Sequence, residues 1–313
     1  MTELGLALGR LSGGPAASGL HVHPLTDDSP ELPQVAEISS TKQAKGGGLR
    51  GVYDDRSQYA SEAWHSDITF EKVPSSFVRR LSSRLNRHSL ETDPSFVDFQ
   101  AMLKINTLPK TGGDTLWASA AAAYEKLSPT IAAMLEGLTA THDGNLFHGE
   151  AGRLGISVRE TARGHPENAG PDLSAEHPVI RTNPITGWKS LFVNKAFTKR
   201  INGVTKDESD FLLKYCTDLV TQNHDLQVRF KWQKGDVALW HNASTHRASS
   251  IIAPFLHVLV LTWILPLKPD SATYDYGSAK RAGERVCVLG ERPYFDPASV
   301  SRREALAAED KEW

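Results

Sequence analysis

The segment "WHSDITF" contains two side chains, His65 and Asp67, whose types and spacing suit the binding of a metal ion. On an extended segment, residues two positions apart point to the same face, so one imidazole and one carboxylate can reach the same ion. A second histidine elsewhere in the chain would complete the 2-His-1-carboxylate face that leaves coordination positions open on non-haem Fe(II). A His-x-Asp pair by itself is more often a surface or hydrogen-bonding pair, so the interpretation depends on the surrounding sequence.

Four motifs along the chain supply that context. In chain order they are "WHSDITFEKVPS", "LPKTGGDTLWAS", "HPVIRTNPITGWKSLFVN" and "GDVALWHNASTH". Together they resemble the taurine/2-oxoglutarate dioxygenase (TauD/TfdA) family, in particular its fungal sulfonate dioxygenase-like branch, from about residue 20 to residue 296 apart from two interruptions. The resemblance implies a mainly β fold with helices, the double-stranded β-helix of the jelly-roll, cupin-like type. It also implies that His65, Asp67 and His246 hold Fe(II).

The resemblance also implies contacts to 2-oxoglutarate, the co-substrate of the family. Thr115 in "GGDTLW" matches a family hydroxyl that holds the far carboxylate of 2-oxoglutarate. The family places one arginine eleven residues after the distal histidine for the same carboxylate, and a second arginine, for the acidic group of the substrate, fifteen residues after it. This chain has His257 and Leu261 at those positions, and neither replaces a forked, permanently charged guanidinium.

Two stretches interrupt the resemblance, and leaving them out restores both arginines. Without the 24 residues 247–270, Arg281 and Arg285 fall eleven and fifteen positions after His246. Without the 22 residues 76–97, the strand sequence "VPSDFQAMLKINTLP" becomes continuous. We therefore predict in-frame insertions at these two places. Translated introns would account for them, and genuine inserts are the alternative.

One substrate residue lies near the N-terminus. His23 matches a pocket histidine of the family that helps to hold the acidic head of the substrate, whereas the pocket tyrosine three residues later is Thr26 here. The family has a further N-terminal portion before this point, so we expect a single domain over residues 1–313 that is truncated at its N-terminus. The implied substrate-binding residues are His23 and Arg285, and the implied co-substrate residues are Thr115 and Arg281.

The implied reaction couples oxidative decarboxylation of 2-oxoglutarate by O₂, to succinate and CO₂, with hydroxylation of a small organic acid. With an alkyl sulfonate such as taurine, hydroxylation beside the sulfonate gives an unstable product that breaks down to an aldehyde and sulfite. A carboxylate, a sulfate ester or a purine is the alternative substrate within the same superfamily. An inactive β-sandwich that only binds ligands is a further alternative, because the second insertion directly follows His246.

Periodicity predicts the elements that would carry these residues. Strands are predicted at 21–25, 35–40, 98–109, 112–119, 177–182 and 190–194, with two more in 226–242 around the turn at Gly235. Helices are predicted over 120–138 and 205–222, a polar loop over 142–176, and a solvated basic helix or loop over 76–97. Thr205 is the expected N-cap of the second helix because its hydroxyl can accept a bond from the first turn.

Composition excludes several classes of protein. The 313 residues are 40% hydrophobic and 23% charged, and 35 Lys and Arg against 37 Asp and Glu give a net charge of −2. This balance is ordinary for a soluble domain and creates no field that attracts nucleic acid or an anionic membrane. Two cysteines, Cys216 and Cys287, cannot form a disulfide framework, which indicates a reduced, cytoplasmic protein. A small acidic substrate and O₂ are the expected partners, and a homo-oligomer stays open.

The apolar run at 251–267 is the one candidate for a membrane span. It is shorter than the roughly 20 residues that a spanning helix needs, and it contains Pro254, His257 and Pro266. The first residues lack a basic region followed by a sustained apolar core, so no signal peptide is expected. We predict no membrane span and interpret the run as part of the second insertion.

Overall fold

The computed structural model describes residues 1–11, 15–26, 31–39, 64–75, 101–110, 113–242, 244–249 and 280–309. The strands in these ranges are β1 (Ala36–Ser39), β2 (Ala101–Thr107), β3 (Thr115–Ser119), β4 (Thr139–Asp143), β5 (Ser174–Pro178), β6 (Ile180–Thr182), β7 (Lys189–Leu191), β8 (Thr198–Ile201), β9 (Gln227–Phe230), β10 (Val237–Trp240), β11 (Thr245–Ser249) and β12 (Ala282–Cys287). The helices are α1 (Thr2–Leu11), α2 (Ala120–Glu125), α3 (Pro129–Glu136), α4 (Leu146–Leu154), α5 (Lys206–Thr221) and α6 (Arg302–Glu309), with a short 3₁₀ turn at His224–Leu226. The basic stretch at 76–97 and the apolar run at 251–267 lie outside the described residues.

A four-stranded antiparallel sheet has the order β1-β12-β2-β10. Its inner strand β2 has apolar side chains on both faces, and Leu103 and Ile105 are fully buried. Arg285 of β12 lies opposite Leu103 on one side and Ala36 of β1 on the other. Strand β12, the last strand in the described part of the chain, is therefore paired to the centre of the sheet, which fixes the position of Arg285.

A second antiparallel sheet has the order β11-β3-β9. In it His246 of β11 lies opposite Ala118 of β3, and Thr115 lies at the start of β3 opposite Phe230. Strands β9 and β10 flank the predicted turn, where Gly235 has a φ of 93°. They pair with β3 and β2 respectively, so this turn connects the two sheets and does not close a hairpin.

Two smaller sheets, β5-β4-β8 and β6-β7, complete the described strands. Helix α2 packs beside β7 and helix α5 beside β8. The apolar residues of α5 that face inward, Leu212, Cys216, Leu219 and Val220, join a core cluster with Val179, Leu191 and Ile201. A second core cluster contains Trp117, Trp232 and Trp240 together with Phe70, Phe147 and Phe197.

The helix predicted over 205–222 is confirmed as α5. Thr205 caps it, and the Glu208 side chain bonds back to the Thr205 backbone, which completes a capping box. The single helix predicted over 120–138 is wrong in one respect, because it is divided into α2 and α3. Ser128 accepts a bond from Ile131 N at the start of α3, and Pro129 occupies the first helical position, where its missing N–H costs nothing.

The prediction of a polar loop over 142–176 is also wrong in part. It contains helix α4, which ends at Gly155 in the left-handed conformation with a φ of 68°. The strand predicted at 21–25 is not formed, although Leu20 makes an isolated bridge to Val288. Short elements with mixed polar and apolar residues carry too little periodic signal to be identified, and α4 and β8 belong to this class.

The architecture of the described part is thus a mixture of helices and antiparallel sheets. The predicted strand at 98–109 corresponds to β2, that at 112–119 to β3, and that at 35–40 to β1. No helix in the described ranges is long and apolar enough to cross a membrane.

Candidate active site

A tight turn carries the first two candidate metal ligands, and we call residues 65–71 the ligand turn. Ile68, directly after Asp67, has a φ of 53°, which is unusual for a β-branched residue. Asn242 supports this conformation from the other side of the site. Its Oδ1 accepts from Asp67 N at 3.0 Å, and its Nδ2 donates to Asp67 O at 2.9 Å. Both backbone groups of Asp67 are therefore satisfied by one amide side chain.

The side chains of His65 and Asp67 lie next to each other. Nε2 of His65 is 3.4 Å from Oδ1 of Asp67, and the two residues are 6% and 2% exposed. The His65 ring meets the Phe197 ring edge-on, with 6.1 Å between centroids. This geometry agrees with the prediction that an imidazole and a carboxylate two residues apart can approach one ion.

His246 reaches the same neighbourhood from β11. It is 1% exposed, and its Nε2 donates to Leu191 O at 3.2 Å. Burial lowers the pKa of His246 to about 4, the bond to Leu191 opposes this shift, and the nearby His65 lowers the pKa further. The imidazole is therefore neutral at pH 7, which is the form that binds metals.

These three residues do not form a finished metal centre. Among the described residues, no three His, Cys, Asp or Glu side chains are grouped closely enough to hold an ion. Ligation through Nε2 of His246 requires that ring to leave Leu191. The donor types nevertheless fit Fe(II), because two imidazoles and a carboxylate, all buried, form the set that this ion uses in oxygenases.

Arg285 connects the ligand turn to the candidate substrate site. Its Nη1 donates to Oδ1 of Asp67 at 2.7 Å, and Sγ of Cys287 lies 4.0 Å from Oδ2 of the same carboxylate. Burial is the largest single influence on the pKa of Arg285 and lowers it, but Asp67 and Cys287 together outweigh burial and raise the pKa of the guanidinium. Within the described part of the chain, Nε of Arg285 has no hydrogen-bond partner, so one donor of the fork is available to an acid.

His23 lies near this arginine. Desolvation lowers the pKa of His23 to about 3, the neighbouring Arg285 and His21 lower it further, and Asp67 opposes the shift. The ring packs edge-on against Phe147 at 5.0 Å between centroids. His23 is thus neutral at pH 7 and close to both Arg285 and the ligand turn, as expected for the two candidate substrate residues.

The two candidate 2-oxoglutarate residues lie together at the start of β3. Thr115 is fully buried, and its hydroxyl accepts from Trp232 Nε1 at 3.0 Å. Nε of Arg281 donates at 3.2 Å to the carbonyl of Gly113, two residues before Thr115. The structure therefore brings together two residues that are far apart in sequence.

Asp114 lies between Gly113 and Thr115 in sequence and was not among the predicted site residues. Burial raises the pKa of Asp114 to about 7, and this shift is opposed by Arg229, whose Nε lies 2.6 Å from Oδ2, and by the charge of Arg281. Asn242 was also missed. Its position in "WHNASTH", four residues before His246, is the signal that could have identified it.

Comparison with known proteins decides the family. The family model described as "Taurine catabolism dioxygenase TauD, TfdA family" matches residues 89–251, about half of the chain. The chain belongs to the TauD/TfdA family. The match includes Thr115 and His246, and it begins after the ligand turn. The family expected from the four sequence motifs is thereby confirmed.

Individual members of the TauD/TfdA family match a larger part of the chain. An alpha-ketoglutarate-dependent dioxygenase of Neocamarosporium betae, btcD, is 38% identical over 304 residues, which is 95% of this chain and 76% of that protein. A putative alpha-ketoglutarate-dependent sulfonate dioxygenase of Schizosaccharomyces pombe is 34% identical over 264 residues, 82% of this chain and 53% of that protein. The crystal structure of a putative alpha-ketoglutarate-dependent taurine dioxygenase from Burkholderia xenovorans has a TM-score of 0.58 at 24% identity and covers 90% of this chain and 73% of that one, which shows a shared fold.

Proposed function

We propose that this TauD/TfdA chain is an Fe(II)- and 2-oxoglutarate-dependent dioxygenase that hydroxylates a small organic acid, with an alkyl sulfonate such as taurine as the favoured substrate. The observation that carries the proposal is the contact between Asp67, a buried carboxylate beside His65, and Arg285, a guanidinium with a donor to spare. A metal-binding carboxylate and an acid-binding cation at one point are what such an enzyme requires.

His65, Asp67 and His246 would hold the iron. Family membership implies Fe(II) and 2-oxoglutarate, and the bound ion would supply the activation of O₂ at its open positions. The chain contributes the environment around these three ligands. The neutral imidazole of His246 keeps its lone pair available, and burial of the three ligands excludes water that would quench a reactive oxidant.

Thr115 and Arg281 are proposed to bind the far carboxylate of 2-oxoglutarate. Arg281 is permanently charged and lies beside Gly113 at the start of β3, so a carboxylate placed there would receive a hydroxyl donor and a charged fork. The Thr115 oxygen accepts from Trp232 Nε1, so its own O–H stays free to donate to a bound carboxylate.

Arg285 and His23 are proposed to bind the acidic head of the substrate. A sulfonate offers three oxygens, which suits the fork of a guanidinium and the N–H of a neutral imidazole. Fixing the head beside the ligand turn would direct the adjacent carbon toward the iron. Hydroxylation there yields the aldehyde and sulfite, and 2-oxoglutarate yields succinate and CO₂.

The domain organisation is part of the proposal. We propose one double-stranded β-helix domain over the whole chain, with insertions at 76–97 and near 247–270. Residues 247–249 pair with β3 in register as part of β11. Removing residues 250–273 in place of 247–270 also deletes 24 residues and keeps all of β11. Arg281 then again falls eleven positions after His246 in sequence. Sequencing of cDNA across both junctions tests this, because transcripts that retain both stretches would exclude introns.

The function is tested by an anaerobic titration with Fe(II) and 2-oxoglutarate, read by the visible charge-transfer band of the iron-bound keto acid. The chain is compared with His246→Gln and with His224→Gln, a control at an exposed histidine. The band is expected for the chain and for the control and not for His246→Gln. Absence of the band from the chain, and from a version without 76–97 and 250–273, would favour the inactive β-sandwich.

Product analysis with O₂ tests the substrate class. Sulfite released from taurine in proportion to succinate supports the sulfonate assignment. Sulfate released from an alkyl sulfate, or a hydroxylated carboxylate or purine without sulfite, would replace it with one of the alternative substrates.

A further inference from the structure

A buried ion pair lies behind the ligand turn. Glu71 and Arg163 are 2% and 1% exposed, and the guanidinium donates from Nε to Oε1 at 2.6 Å and from Nη2 to Oε2 at 3.0 Å. Its Nη1 donates to Arg159 O at 2.8 Å and to Gly170 O at 2.9 Å. One side chain therefore joins the last residue of the ligand turn to both ends of residues 159–170, which we call the clamp loop.

The ligand turn depends on such support. Glu71 N donates to Ile68 O at 3.0 Å, so Glu71 closes the turn in which Ile68 has its disfavoured positive φ. The clamp loop holds the next residues as well. Asn168 accepts from Val73 N at 2.9 Å and donates to Val73 O at 2.8 Å. The clamp loop therefore holds the backbone that follows Asp67 at two residues, Glu71 and Val73.

The clamp loop also holds the segment that carries His23. Arg159 N donates to Pro24 O at 2.8 Å, and Gly19 N donates to Gly164 O at 2.9 Å. These two bonds lie on either side of His23 in sequence. The loop therefore contacts the candidate substrate segment and the candidate metal segment at the same time.

Two features show how closely these segments are fitted together. Gly164 has a φ of 92°, and a Cβ at this position would lie 2.3 Å from Leu20 O, so no other residue fits without a shift. Nε2 of His21 is 3.1 Å from Oε1 of Glu71. Glu71 consequently receives contacts from the clamp loop and from the segment of His23.

We propose that Arg163 is a positioning residue, which through Glu71 holds the ligand turn and the His23 segment in a fixed relation to each other. The inference rests on the proposed function, because it assigns Asp67 to the metal and His23 to the acidic head of the substrate. The hydrogen bonds of the Arg163 side chain go to Glu71, Arg159 and Gly170, and not to Asp67 or His23. Its effect is on the distance between the bound acid and the metal ligands, and small displacements of this kind have large effects on rate.

The test compares Arg163→Lys with the wild-type chain. Lysine keeps the charge but lacks the planar fork that reaches Glu71 and two carbonyls at once. In the metal-free protein, hydrogen exchange of the amides of Asp67, Glu71 and Arg159 is expected to become about tenfold faster. In the loaded enzyme, KM for the acidic substrate is expected to rise about 10- to 100-fold, the range seen for supporting residues of metal sites. Succinate formed per substrate hydroxylated is expected to rise, whereas KM for 2-oxoglutarate stays unchanged.

Two further variants separate positioning from stability. Gly164→Ala pushes on Leu20 without removing a charge, and it is expected to give the same pattern as Arg163→Lys. Leu212→Ala, in the core cluster beside α5, destabilises the fold and is expected to change neither the exchange of the ligand turn nor the ratio of succinate to product.

Each result decides the proposal. The positioning role would be overturned if hydrogen exchange of the ligand turn and the substrate KM were unchanged in both Arg163→Lys and Gly164→Ala. It would also be overturned if Leu212→Ala produced the same changes. If Arg163→Lys does not fold, Gly164→Ala and Glu71→Gln provide the same comparison. If the wild-type chain shows no charge-transfer band, the proposed function fails, but faster exchange of the ligand turn in the metal-free variants would still support the positioning role.

Discussion

Nη1 of Arg285 donates to the carboxylate of Asp67 across 2.7 Å, although 218 positions separate these residues in the chain. The same Oδ1 atom lies 3.4 Å from Nε2 of His65. A candidate substrate cation and a candidate metal ligand therefore share one carboxylate oxygen. A metal ion that binds Asp67 would take over part of the charge compensation, and Arg285 would then be available to the acidic substrate.

Replacing Arg285 by glutamine is expected to separate substrate binding from metal binding. KM for the acidic substrate should rise by at least about 100-fold, because a charge-assisted contact is lost, while the Fe(II)–2-oxoglutarate band persists. In the metal-free protein, the free energy of unfolding should fall by about 1.5–3 kcal/mol, since Asp67 loses a charged donor. Arg200→Gln, at an exposed arginine that bonds Val204 O, is the control and should leave KM unchanged. A loss of the band together with substrate binding would contradict the assignment of Arg285 to the substrate.

Asn242→Ala is expected to disturb the ligand turn itself. It removes both hydrogen bonds to the backbone of Asp67, and each buried group left unsatisfied costs about 1–3 kcal/mol. The free energy of unfolding, measured in urea, should therefore fall by about 2–6 kcal/mol, and Fe(II) affinity should fall with it. Asn202→Ala, at a half-buried asparagine that bonds Thr139 and Thr141, should leave Fe(II) affinity unchanged. Unaltered Fe(II) affinity in Asn242→Ala would contradict the role given to the amide.

The sequence identified the elements whose signal is local and periodic. Helix α5 has apolar residues at helical spacing and a capping box at Thr205, so its start, type and inner face could all be predicted. Strand β3 follows a Gly-Gly-Asp turn and alternates, and it was also predicted. The division between α2 and α3 could have been found at Ser128–Pro129, since a Ser-Pro pair is a frequent helix start.

Other features depend on distant contacts and have no local signature. Strands β9 and β10 look like a hairpin in sequence, but pairing with β3 and β2 separates them. The contact of Arg285 with Asp67 and that of Arg163 with Glu71 join segments 218 and 92 positions apart. The family resemblance supplied Arg285 as a candidate, whereas Arg163 could be recognised only from its burial and its bonds in the fold.

Arg281→Lys is expected to affect the co-substrate and not the metal. A lysine keeps the charge but loses the fork geometry beside Gly113, so the dissociation constant for 2-oxoglutarate should rise about tenfold or more, at about 1.4 kcal/mol per factor of ten. Fe(II) binding measured without 2-oxoglutarate should stay unchanged, because Nε of Arg281 bonds the carbonyl of Gly113, just before β3, and Gly113 is not one of the proposed metal ligands. Lys104→Arg, at the neighbouring strand β2, is a conservative control. Equal weakening of Fe(II) binding would contradict the assignment.

The pH dependence of stability is expected to report on His177. Burial lowers the pKa of His177 from 6.5 to about 4, and the bond from its Nε2 to Glu71 O opposes the shift. Between these values the unfolded chain binds the extra proton and the folded chain does not, so the free energy of unfolding falls as pH falls. The stability is fully present above pH 6.5, and about 3 kcal/mol is lost by about pH 4. Burial also lowers the pKa values of His142, His246 and His23, and these three groups add in the same direction.

Urea unfolding of the metal-free protein at several pH values between 7.5 and 4.5 would measure this slope. His177→Gln is expected to reduce it, because glutamine can still donate to Glu71 O but does not titrate. His224→Gln, at an exposed histidine, should leave it unchanged. Glu71 does not add to the slope in this pH range, because its pKa lies below 4.5. Its contribution to the free energy of unfolding is lost only in more acidic solution. A slope that is the same in wild type and His177→Gln would show that folding does not lower the pKa of His177.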